Sequence, residues 1–236
     1  MKLYAYCLSD EIAEGDFENV SGVGGARVRL TESQGITGVV SGFSESSIAV
    51  TRENVLAHER VVRQAFRNAS LLPFRFGTVV TESSLMDFIN AQKSALKLQL
   101  ERVRGCVEMS VKVVWPDATR ADGTVQGAGG EEEERAGSGT DYLKKKRREI
   151  FGDAHMNERA DEIASWVSEK LQGAVRYTMK TAQPSGSPVL ALSYLVERER
   201  VEEYRELLNA VRRERPHLHF LTSGPWPPYS FSDINS

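Results

Sequence analysis

The chain has 236 residues, of which 40% are hydrophobic and 27% are charged, and its formal net charge at pH 7 is -3. This length exceeds the commonest domain size of about 100–150 residues, so it allows one large domain or two small ones. The small negative charge gives no electrostatic reason to expect a nucleic-acid partner, because proteins that bind nucleic acids usually carry a basic face or stripe.

The N-terminal stretch over residues 2–8 is apolar but too short to be the core of a signal peptide. No other segment approaches the roughly 20 apolar residues that cross a bilayer, so we expect a soluble, cytosolic protein without a membrane span. Its two cysteines, Cys7 and Cys106, form no CxxC pair. They fit reduced thiols on strands better than a disulfide scaffold.

The first hundred residues contain both strand-like and helix-like segments. Pro73 cannot donate a backbone hydrogen bond, so the segment that contains it should lie at a sheet edge or begin a strand. Ser84-x-x-Asp87 resembles a capping box, which marks the start of a long helix that stops at Gly105. The other predicted elements are strands over 2–8, 36–43 and 71–80, with a Gly- and Ser-rich loop between the first two, and a helix over 54–68.

The second half of the chain begins with strict alternation from Val107 to Trp115, which predicts a half-buried strand. Residues 116–140 are dominated by Gly, Ala, Asp and four consecutive glutamates, a composition typical of a disordered or mobile insertion. After it, the pattern predicts a helix from Tyr142 to Gly173, strands over 175–180 and 189–196, a helix over 197–215 and a last strand over 217–222.

The order strand, helix, strand, strand, helix, strand is typical of a ferredoxin-like βαββαβ sandwich. We therefore predict an α+β fold with two domains. The N-terminal α+β domain covers 1–105, and the ferredoxin-like C-terminal domain covers 106–223 with the mobile insertion at 116–140. An extended Pro/aromatic tail covers 224–236.

Three fragments imitate catalytic or cofactor motifs, and each lacks a residue that the chemistry requires. Arg27 stands where a dinucleotide-binding turn needs its third glycine. His58-Glu59 begins like a zinc-protease motif, but Val62 occupies the position of the second histidine. Ser44 occupies the serine position of a nucleophile-elbow motif, but the final glycine of that motif is absent. We therefore expect no catalytic residue and no cofactor.

Two further segments could bind ions or phosphates. His217 and His219 are two positions apart on a predicted strand, so they could share a face and hold a metal. No cysteine or carboxylate nearby completes such a site, which favours two solvent-facing histidines and no metal site. The basic run at 144–148 follows four glutamates, and we interpret it as a solvated helix face rather than a nucleic-acid or membrane patch.

Arg75 lies between Phe74 and Phe76 in a predicted strand, so its guanidinium should lie on the face opposite both rings. It is either an exposed strand arginine or a member of a planar ion pair that locks domains or a partner. The pattern does not decide between the two.

The segment Gly224-Pro225-Trp226-Pro227-Pro228-Tyr229-Ser230-Phe231 follows the last predicted strand. Three prolines in four positions favour an extended, polyproline-like path without internal hydrogen bonds, so packing must hold it in place. Trp226, Tyr229 and Phe231 supply the packing area. The segment is either an intramolecular clasp that joins the two domains, which we favour, or a contact with another chain.

This octapeptide resembles the C-terminal signature of the GvpF/GvpL family of gas-vesicle proteins. Three other markers are similar to the same family: His58-Glu59 in the first helix, the LPxRFGT strand at 72–78 and the YLxxK helix start at 142–146. Together these markers extend over residues 58–231.

The resemblance implies a two-domain α+β protein with a ferredoxin-like C-terminal half and no catalysis. It implies an assembly or minor structural protein of the gas vesicle that binds the hydrophobic, GvpA-like shell subunit and supports vesicle nucleation or growth. Other gas-vesicle accessory proteins would be further partners. The protein would be cytoplasmic before assembly and located at the gas vesicle afterwards. The alternative is a ferredoxin-like small-ligand-binding module or an enzyme, because that fold hosts many activities.

The candidates for interaction or for the domain clasp are nine residues: His58, Pro73, Arg75, Phe76, Trp226, Pro227, Pro228, Tyr229 and Phe231. The octapeptide is the strongest family marker, whereas the sheet around Arg75 is where we expect shell subunits to bind.

Overall fold

The computed structural model describes residues 2–45, 47–115, 156–181 and 189–235. The predicted insertion at 116–140, the YLxxK segment and the basic run at 144–148 lie outside these residues. The described strands are β1 (Lys2–Ser9), β2 (Val28–Ser33), β3 (Ile36–Phe43), β4 (Leu72–Pro73), β5 (Val79–Thr81), β6 (Cys106–Val114), β7 (Tyr177–Thr181), β8 (Val189–Glu197) and β9 (His219–Trp226). The described helices are α1 (Arg52–Asn68), α2 (Glu82–Val103), α3 (156–171) and α4 (Val201–Glu214).

The chain has an α+β fold that divides into two compact units. The first unit comprises residues 1–109, 194–201 and 223–236, and the second comprises 110–193 and 202–222. The C-terminal octapeptide at 224–231 therefore belongs to the same unit as the first hundred residues.

The sheet of the first unit is antiparallel and has the strand order β2-β3-β1-β4, with β5 also paired to β1. Strand β1 is its centre, and every residue from Leu3 to Ser9 is buried. The pairing of β1 with β3 shifts between Ala5 and Cys7, which places a bulge at Tyr6. Strand β1 thus carries the aromatic side chains around which the unit is built.

Helices α1 and α2 complete the core of this unit. Helix α1 begins after Thr51, whose side chain accepts a hydrogen bond from the backbone N–H of Asn54 at 3.2 Å. Its buried stripe consists of Ala57, His58, Val61, Val62, Ala65 and Phe66. Helix α2 buries Leu85, Ile89, Leu96, Leu100 and Val103. Both sets recur at helical spacing, as the sequence predicts.

Strand β2 is missing from the sequence-based prediction, which places a loop there. Residues Gln34 and Gly35 both have positive φ angles, of 57° and 73°, and they connect β2 to β3 as a two-residue hairpin turn. Because a glutamine with positive φ is unusual, the Gln-Gly pair is a weaker turn signal than Asn-Gly. The hairpin was therefore not recognised.

The single strand predicted over 71–80 is wrong, because a turn divides it into β4 and β5. Gly77 has a φ of 93°, which strongly favours glycine. The backbone N–H and the hydroxyl of Thr78 both donate to the carbonyl of Arg75, at 3.3 Å and 2.8 Å. Arg75 is thus an exposed turn residue and not a strand residue.

The predicted cap of α2 at Ser84 is also wrong, by three residues. The helix begins at Glu82, and its cap is Thr81, whose hydroxyl oxygen accepts the backbone N–H of Ser84 at 3.1 Å. Thr81 and Ser84 have the spacing of a cap and its third helical residue. The helix therefore has a side-chain cap as expected, but the capping residue is Thr81.

Arg104 joins the end of α2 to the end of β1. Its guanidinium donates to Asp10 and Glu101, both at 2.8 Å, and to Glu11. Burial alone would raise the pKa of the Glu11 carboxyl, but the backbone N–H of Ser70 and the charge of Arg104 lower it below its ordinary value.

The second sheet has the strand order β7-β8-β6-β9. The predicted last strand over 217–222 ends later than expected, because β9 continues to Trp226. In the second unit, α3 and α4 are linked by the Lys170–Glu214 ion pair at 2.9 Å. The buried residues of these helices include Ile163, Val167, Leu171, Tyr204, Leu208 and Val211.

Both cysteines are free and buried, Cys7 on β1 and Cys106 on β6. Burial raises the pKa of the Cys7 thiol well above its ordinary value. Among the helices within the described ranges, none is long and apolar enough to cross a membrane.

Candidate binding site around His58

His58 lies on the buried face of α1, where only 4% of its surface is exposed. Its ring nitrogen Nδ1 is 2.9 Å from the hydroxyl oxygen of Tyr4 on β1. Its other ring nitrogen, Nε2, is 3.3 Å from the hydroxyl oxygen of Tyr229 in the C-terminal octapeptide. One imidazole therefore connects the centre of the sheet to the C-terminal segment.

The turn before β5 adds a third bond to this series. The backbone N–H of Gly77 donates to the hydroxyl oxygen of Tyr4 at 3.0 Å. The Tyr4 hydroxyl can accept this bond and also either donate to or accept from Nδ1 of His58, so both neutral tautomers of the imidazole fit between Tyr4 and Tyr229. The hydrogen-bond chain from Gly77 through Tyr4 and His58 to Tyr229 thus forms while all of these groups are uncharged.

Aromatic rings surround this hydrogen-bond chain. The rings of Tyr4 and Tyr6 have centroids 4.9 Å apart, and the His58 ring lies 5.7 Å from each of them. Phe76 lies 5.8 Å from His58 in an edge-on arrangement. The Tyr6 hydroxyl accepts the backbone N–H of Val23 at 2.8 Å, which ties the preceding loop to the cluster. We call Tyr4, Tyr6, His58, Phe76 and Tyr229 the aromatic cluster.

The electrostatics of the cluster keep it uncharged. Burial lowers the pKa of His58 from 6.5 to about 4, although a hydrogen bond to the backbone of Phe74 opposes this shift. Burial also raises the pKa of Tyr4 to about 12 and that of Tyr229 above its ordinary value. An imidazole with so low a pKa is a poor general base near neutral pH, so the cluster is suited to holding a shape rather than moving protons.

The octapeptide packs within the first unit through its last residues. Pro228 is buried and Phe231 is only 1% exposed, and the guanidinium carbon of Arg102 lies 5.7 Å from the Phe231 ring. The hydroxyl of Ser232 donates to the carbonyl of Pro73 at 3.3 Å. Tyr229 to Phe231 form a short helical turn, so the polyproline-like path predicted for the whole segment does not extend to them.

A buried carboxylate holds the middle of this segment. Glu108 on β6 is 5% exposed, and its two carboxylate oxygens accept the backbone N–H of Ser230 at 2.8 Å and the Ser230 hydroxyl at 2.6 Å. Both donors come from one residue, so this pair fixes the position and the direction of the turn.

The start of the octapeptide is held by close backbone contact. Gly224 and Pro225 are joined by a cis peptide bond, and Gly224 has a φ of 120°. A Cβ atom at Gly224 would lie 2.7 Å from the carbonyl oxygen of Glu108 and 2.9 Å from the sulfur of Met109. Gly224 to Trp226 belong to β9.

Trp226 is 41% exposed, although the sequence suggested that it is a packing residue. It lines a groove of about 160 Å³ beside α1, together with Val62, Phe66, Pro225, Pro227 and Tyr229 and the charged pair Glu59 and Arg63. The packing that holds the octapeptide comes from Pro228, Tyr229 and Phe231, whereas the Trp226 ring is available at the surface.

The structure brings together only some of the nine candidate residues. His58, Phe76 and Tyr229 meet in the aromatic cluster, and Pro73 reaches the C-terminal segment through Ser232. Arg75 lies in the exposed turn. His217 and His219 are exposed, and within the described ranges no cluster of three or more His, Cys, Asp or Glu residues could hold a metal ion.

Sequence reasoning missed three residues that organise the site, namely Tyr4, Tyr6 and Glu108, and it named Gly224 only as part of the octapeptide. The Tyr-x-Tyr spacing on a strand was a usable signal, because residues i and i+2 share a face. Glu108 reads as a solvent-facing residue of an alternating strand, and its pairing with Ser230 joins residues 122 positions apart. No local pattern reports such a contact.

The model of the family described as "Gas vesicle synthesis protein GvpL/GvpF" matches residues 2–233, nearly the whole chain. The chain belongs to the GvpL/GvpF family of gas-vesicle proteins. The resemblance read from the motifs is thereby confirmed. In this family member, three of the four separated markers meet in one place, since His58, the turn at 75–78 and Tyr229 all contact the aromatic cluster.

Both F proteins and L proteins of the GvpL/GvpF family match this chain over most of their length. Gas vesicle protein F1 of Halobacterium salinarum is 26% identical over 239 residues, covering 99% of this chain and 93% of the relative. Gas vesicle protein L of a Streptomyces species is 28% identical over 246 residues, covering 92% of this chain and 87% of the relative. The similarity thus extends to both F and L proteins at nearly equal identity.

Two solved structures show the fold of the family. The crystal structure of GvpF from Anabaena sp. PCC7120 has a TM-score of 0.76 at 18% identity and covers 100% of this chain and 97% of its own. The GvpF structure from Microcystis aeruginosa has a TM-score of 0.73 at 20% identity, covering 99% of each chain. The α+β fold of this chain is therefore GvpF-like.

Proposed function

We propose that the chain is an assembly or minor structural protein of the gas vesicle, which binds the hydrophobic shell subunit and supports vesicle nucleation or growth without catalysing a reaction. The observation that carries this proposal is the match to the gas-vesicle synthesis family over residues 2–233. The neutral aromatic cluster supports the non-catalytic part, because its imidazole is held by phenol hydroxyls and has a pKa of about 4.

The physical reason for such a protein lies in the shell subunit. Hydrophobic subunits aggregate through apolar patches and strand edges before a shell closes. A partner that covers these surfaces suppresses aggregation and can present subunits for ordered growth. Exposed apolar side chains on the first unit, namely Val55, Leu56 and Trp226, could supply the contact area.

We assign the nine candidate residues to two roles within the first unit. His58, Pro73, Phe76, Pro228, Tyr229 and Phe231 form the clasp that holds the octapeptide. Arg75, Trp226 and Pro227 form the surface offered to a partner. Burial supports the first role and exposure supports the second, since Phe231 is buried whereas Arg75 and Trp226 are exposed.

We also propose that the C-terminal half is a ferredoxin-like sandwich and that the domain boundaries lie near residues 105 and 223. The element order β6, α3, β7, β8, α4, β9 and the strand order β7-β8-β6-β9 support this proposal. We place the protein in the cytoplasm before assembly and at the gas vesicle afterwards. Its partners are the GvpA-like shell subunit and other gas-vesicle accessory proteins.

Co-purification tests the proposed function. The full chain carrying an affinity tag is co-expressed with the shell subunit of the same organism, and the captured shell subunit is quantified on gels and by mass spectrometry. We expect the shell subunit in the eluate at a level well above that obtained with an unrelated tagged protein of similar size. Equal background in both eluates would contradict the proposal.

A further inference from the structure

The exposed face of α1 carries a groove that is apolar at one end and basic at the other. We propose that this groove binds an acidic peptide segment of a gas-vesicle protein. One apolar side chain of the segment enters the pocket beside Trp226, and its carboxylates contact Arg60 and Arg67. The inference rests on the proposed function, because it takes the partner to be a vesicle protein.

The apolar end is the groove of about 160 Å³ between α1 and the octapeptide. Its wall consists of the rings of Phe66, Trp226 and Tyr229 together with two prolines and a valine, which are apolar or amphipathic side chains of low flexibility. The clasp holds Tyr229 in place through His58, at 3.3 Å. This end is therefore preformed, which lowers the entropic cost of binding an aromatic or aliphatic side chain.

The basic end is a neighbouring cavity of about 380 Å³ on the same helix. Its lining includes Arg60, Arg63 and Arg67 with a single carboxylate, that of Glu59. Arg63 pairs with Glu59, whereas neither Arg60 nor Arg67 forms an ion pair with any residue in the part of the chain that is described. Two cationic side chains on this surface are thus available to a partner.

The two cavities adjoin each other, because Glu59 and Arg63 line both of them. The three arginines are spaced at i, i+3 and i+7, so they follow one face of α1 over about 10 Å. An apolar pocket at one end of a row of guanidinium groups matches an amphipathic segment in which a large apolar residue lies next to several Asp or Glu residues.

Charge and pocket chemistry favour a peptide over a nucleic acid or a membrane. The whole chain is net negative, at -3, so its overall charge does not favour a nucleic acid or an anionic membrane. The proline-lined pocket is suited to a side chain, whereas a phosphate backbone would use only the arginines. An acidic peptide uses both ends of the groove.

The test uses overlapping peptides of about 15 residues that cover the shell subunit and the other gas-vesicle proteins of the same organism. Peptides that bind the full chain on an array are then labelled with fluorescein, and their Kd is measured by fluorescence anisotropy. The variants are Arg60→Glu combined with Arg67→Glu, and Trp226→Ala. Arg213→Glu on α4 is the matched control, because it makes the same charge change at another exposed helix position.

We expect the bound peptides to be acidic with an apolar residue. The Arg60→Glu/Arg67→Glu variant should bind them at least about tenfold more weakly, and Trp226→Ala at least about threefold more weakly. Arg213→Glu should bind them like the wild type. The inference is overturned if no peptide binds the wild type or if the double variant binds equally well. It is also overturned if a single-stranded DNA oligonucleotide or an anionic lipid vesicle displaces the peptide and depends on the same arginines.

Co-purification with the double variant separates this inference from the proposed function. If the wild type and the double variant capture equal amounts of shell subunit and no peptide depends on the arginines, the groove is not the binding site but the proposed function stands. If the wild type captures no shell subunit but binds peptides of another vesicle protein through the groove, the shell-binding function fails and the groove stands.

Discussion

The Nδ1 atom of His58 lies 2.9 Å from the hydroxyl oxygen of Tyr4, although the two residues are 54 positions apart. This contact connects α1 to the central strand of the first sheet, and the other side of the same imidazole reaches Tyr229. A family marker in the first helix and another near the C-terminus are thus parts of one structural unit. Its stability and its pH dependence can be measured.

Removing the Tyr4 hydroxyl should destabilise the first unit. In Tyr4→Phe the backbone N–H of Gly77 and the Nδ1 of His58 lose their partner, and a buried unsatisfied group costs about 1–3 kcal/mol. Urea unfolding of the variant and the wild type measures this loss. Tyr229→Phe should cost less, since its contact with His58 is longer, at 3.3 Å.

The double variant Tyr4→Phe/Tyr229→Phe completes a thermodynamic cycle. Because both hydroxyls bond the same imidazole, the two losses should not be additive. Additive losses would show that the two tyrosines act independently, contrary to a single hydrogen-bond chain.

Acid should destabilise the protein through His58. The folded pKa of about 4 lies below the ordinary value of 6.5, so between these values the unfolded state binds more protons. The stabilising contribution of neutral His58 is therefore complete above about pH 6.5 and falls as the pH approaches 4. The expected loss between about pH 7.5 and pH 4.5 is roughly 2–3 kcal/mol.

The pH effect is isolated by comparing variants. His58→Asn should lose this part of the pH dependence, whereas His217→Asn, at an exposed position, should keep it. The carboxyl groups make the same contribution to the pH dependence of stability in all three proteins, so this contribution cancels when the profiles are subtracted. Equal pH profiles for His58→Asn and the wild type would contradict a depressed pKa at His58.

Gly224→Ala should be strongly destabilising. The added Cβ would meet the carbonyl oxygen of Glu108 at 2.7 Å, and the φ of 120° is unfavourable for any residue with a side chain. We expect a loss of at least about 2 kcal/mol in thermal or urea unfolding. Gly42→Ala is the control, because an added Cβ there has no neighbour within 4 Å. A similar small effect at both positions would refute the close approach.

Ser230→Ala should loosen the C-terminal segment. The buried Glu108 carboxylate loses the hydroxyl donor at 2.6 Å and keeps the backbone N–H, so we expect a cost of about 1–3 kcal/mol. Hydrogen exchange at residues 224–232 should become faster. Ser47→Ala, at an exposed serine, should leave both measurements unchanged. Unaltered exchange in Ser230→Ala would mean that Glu108 does not hold the segment.

Trp226→Ala should affect stability much less than truncation of a buried tryptophan, which typically costs about 3–5 kcal/mol. The side chain is 41% exposed, so we expect a cost of about 1–2 kcal/mol, measured by urea unfolding. A loss of 3 kcal/mol or more would show that the ring is packed and would weaken its role as a binding surface.

The sequence alone predicted those elements in which local pattern and tertiary structure agree. The alternation from Val107 and the helical pattern over 54–68 correspond to β6 and α1. At residues 71–80 the strand-forming side chains suggest one continuous strand, but Gly77 adopts a positive φ and the chain turns. The strand propensity of these side chains is outweighed there by the positive φ of Gly77, which only the folded unit requires.

The site was predicted only in part, for a related reason. His58 and Tyr229 were identified through family motifs, but nothing local reveals that they contact each other or that Tyr4 lies between them and the turn at Gly77. Trp226 was expected to pack, against this chain or another one, because large aromatic side chains left in water form an unusual exposed patch. Within this chain, its neighbours Pro228, Tyr229 and Phe231 occupy the packing positions instead. Which aromatic of a proline-rich segment points inward depends on the turn geometry, and composition does not report it.

The most direct measurement of the central claim is the number of gas vesicles per cell, counted by electron microscopy, in a strain that lacks this chain. A role in vesicle assembly predicts that vesicles are absent or strongly reduced and that the wild-type chain restores them. Normal vesicle numbers in the deletion strain would contradict that role.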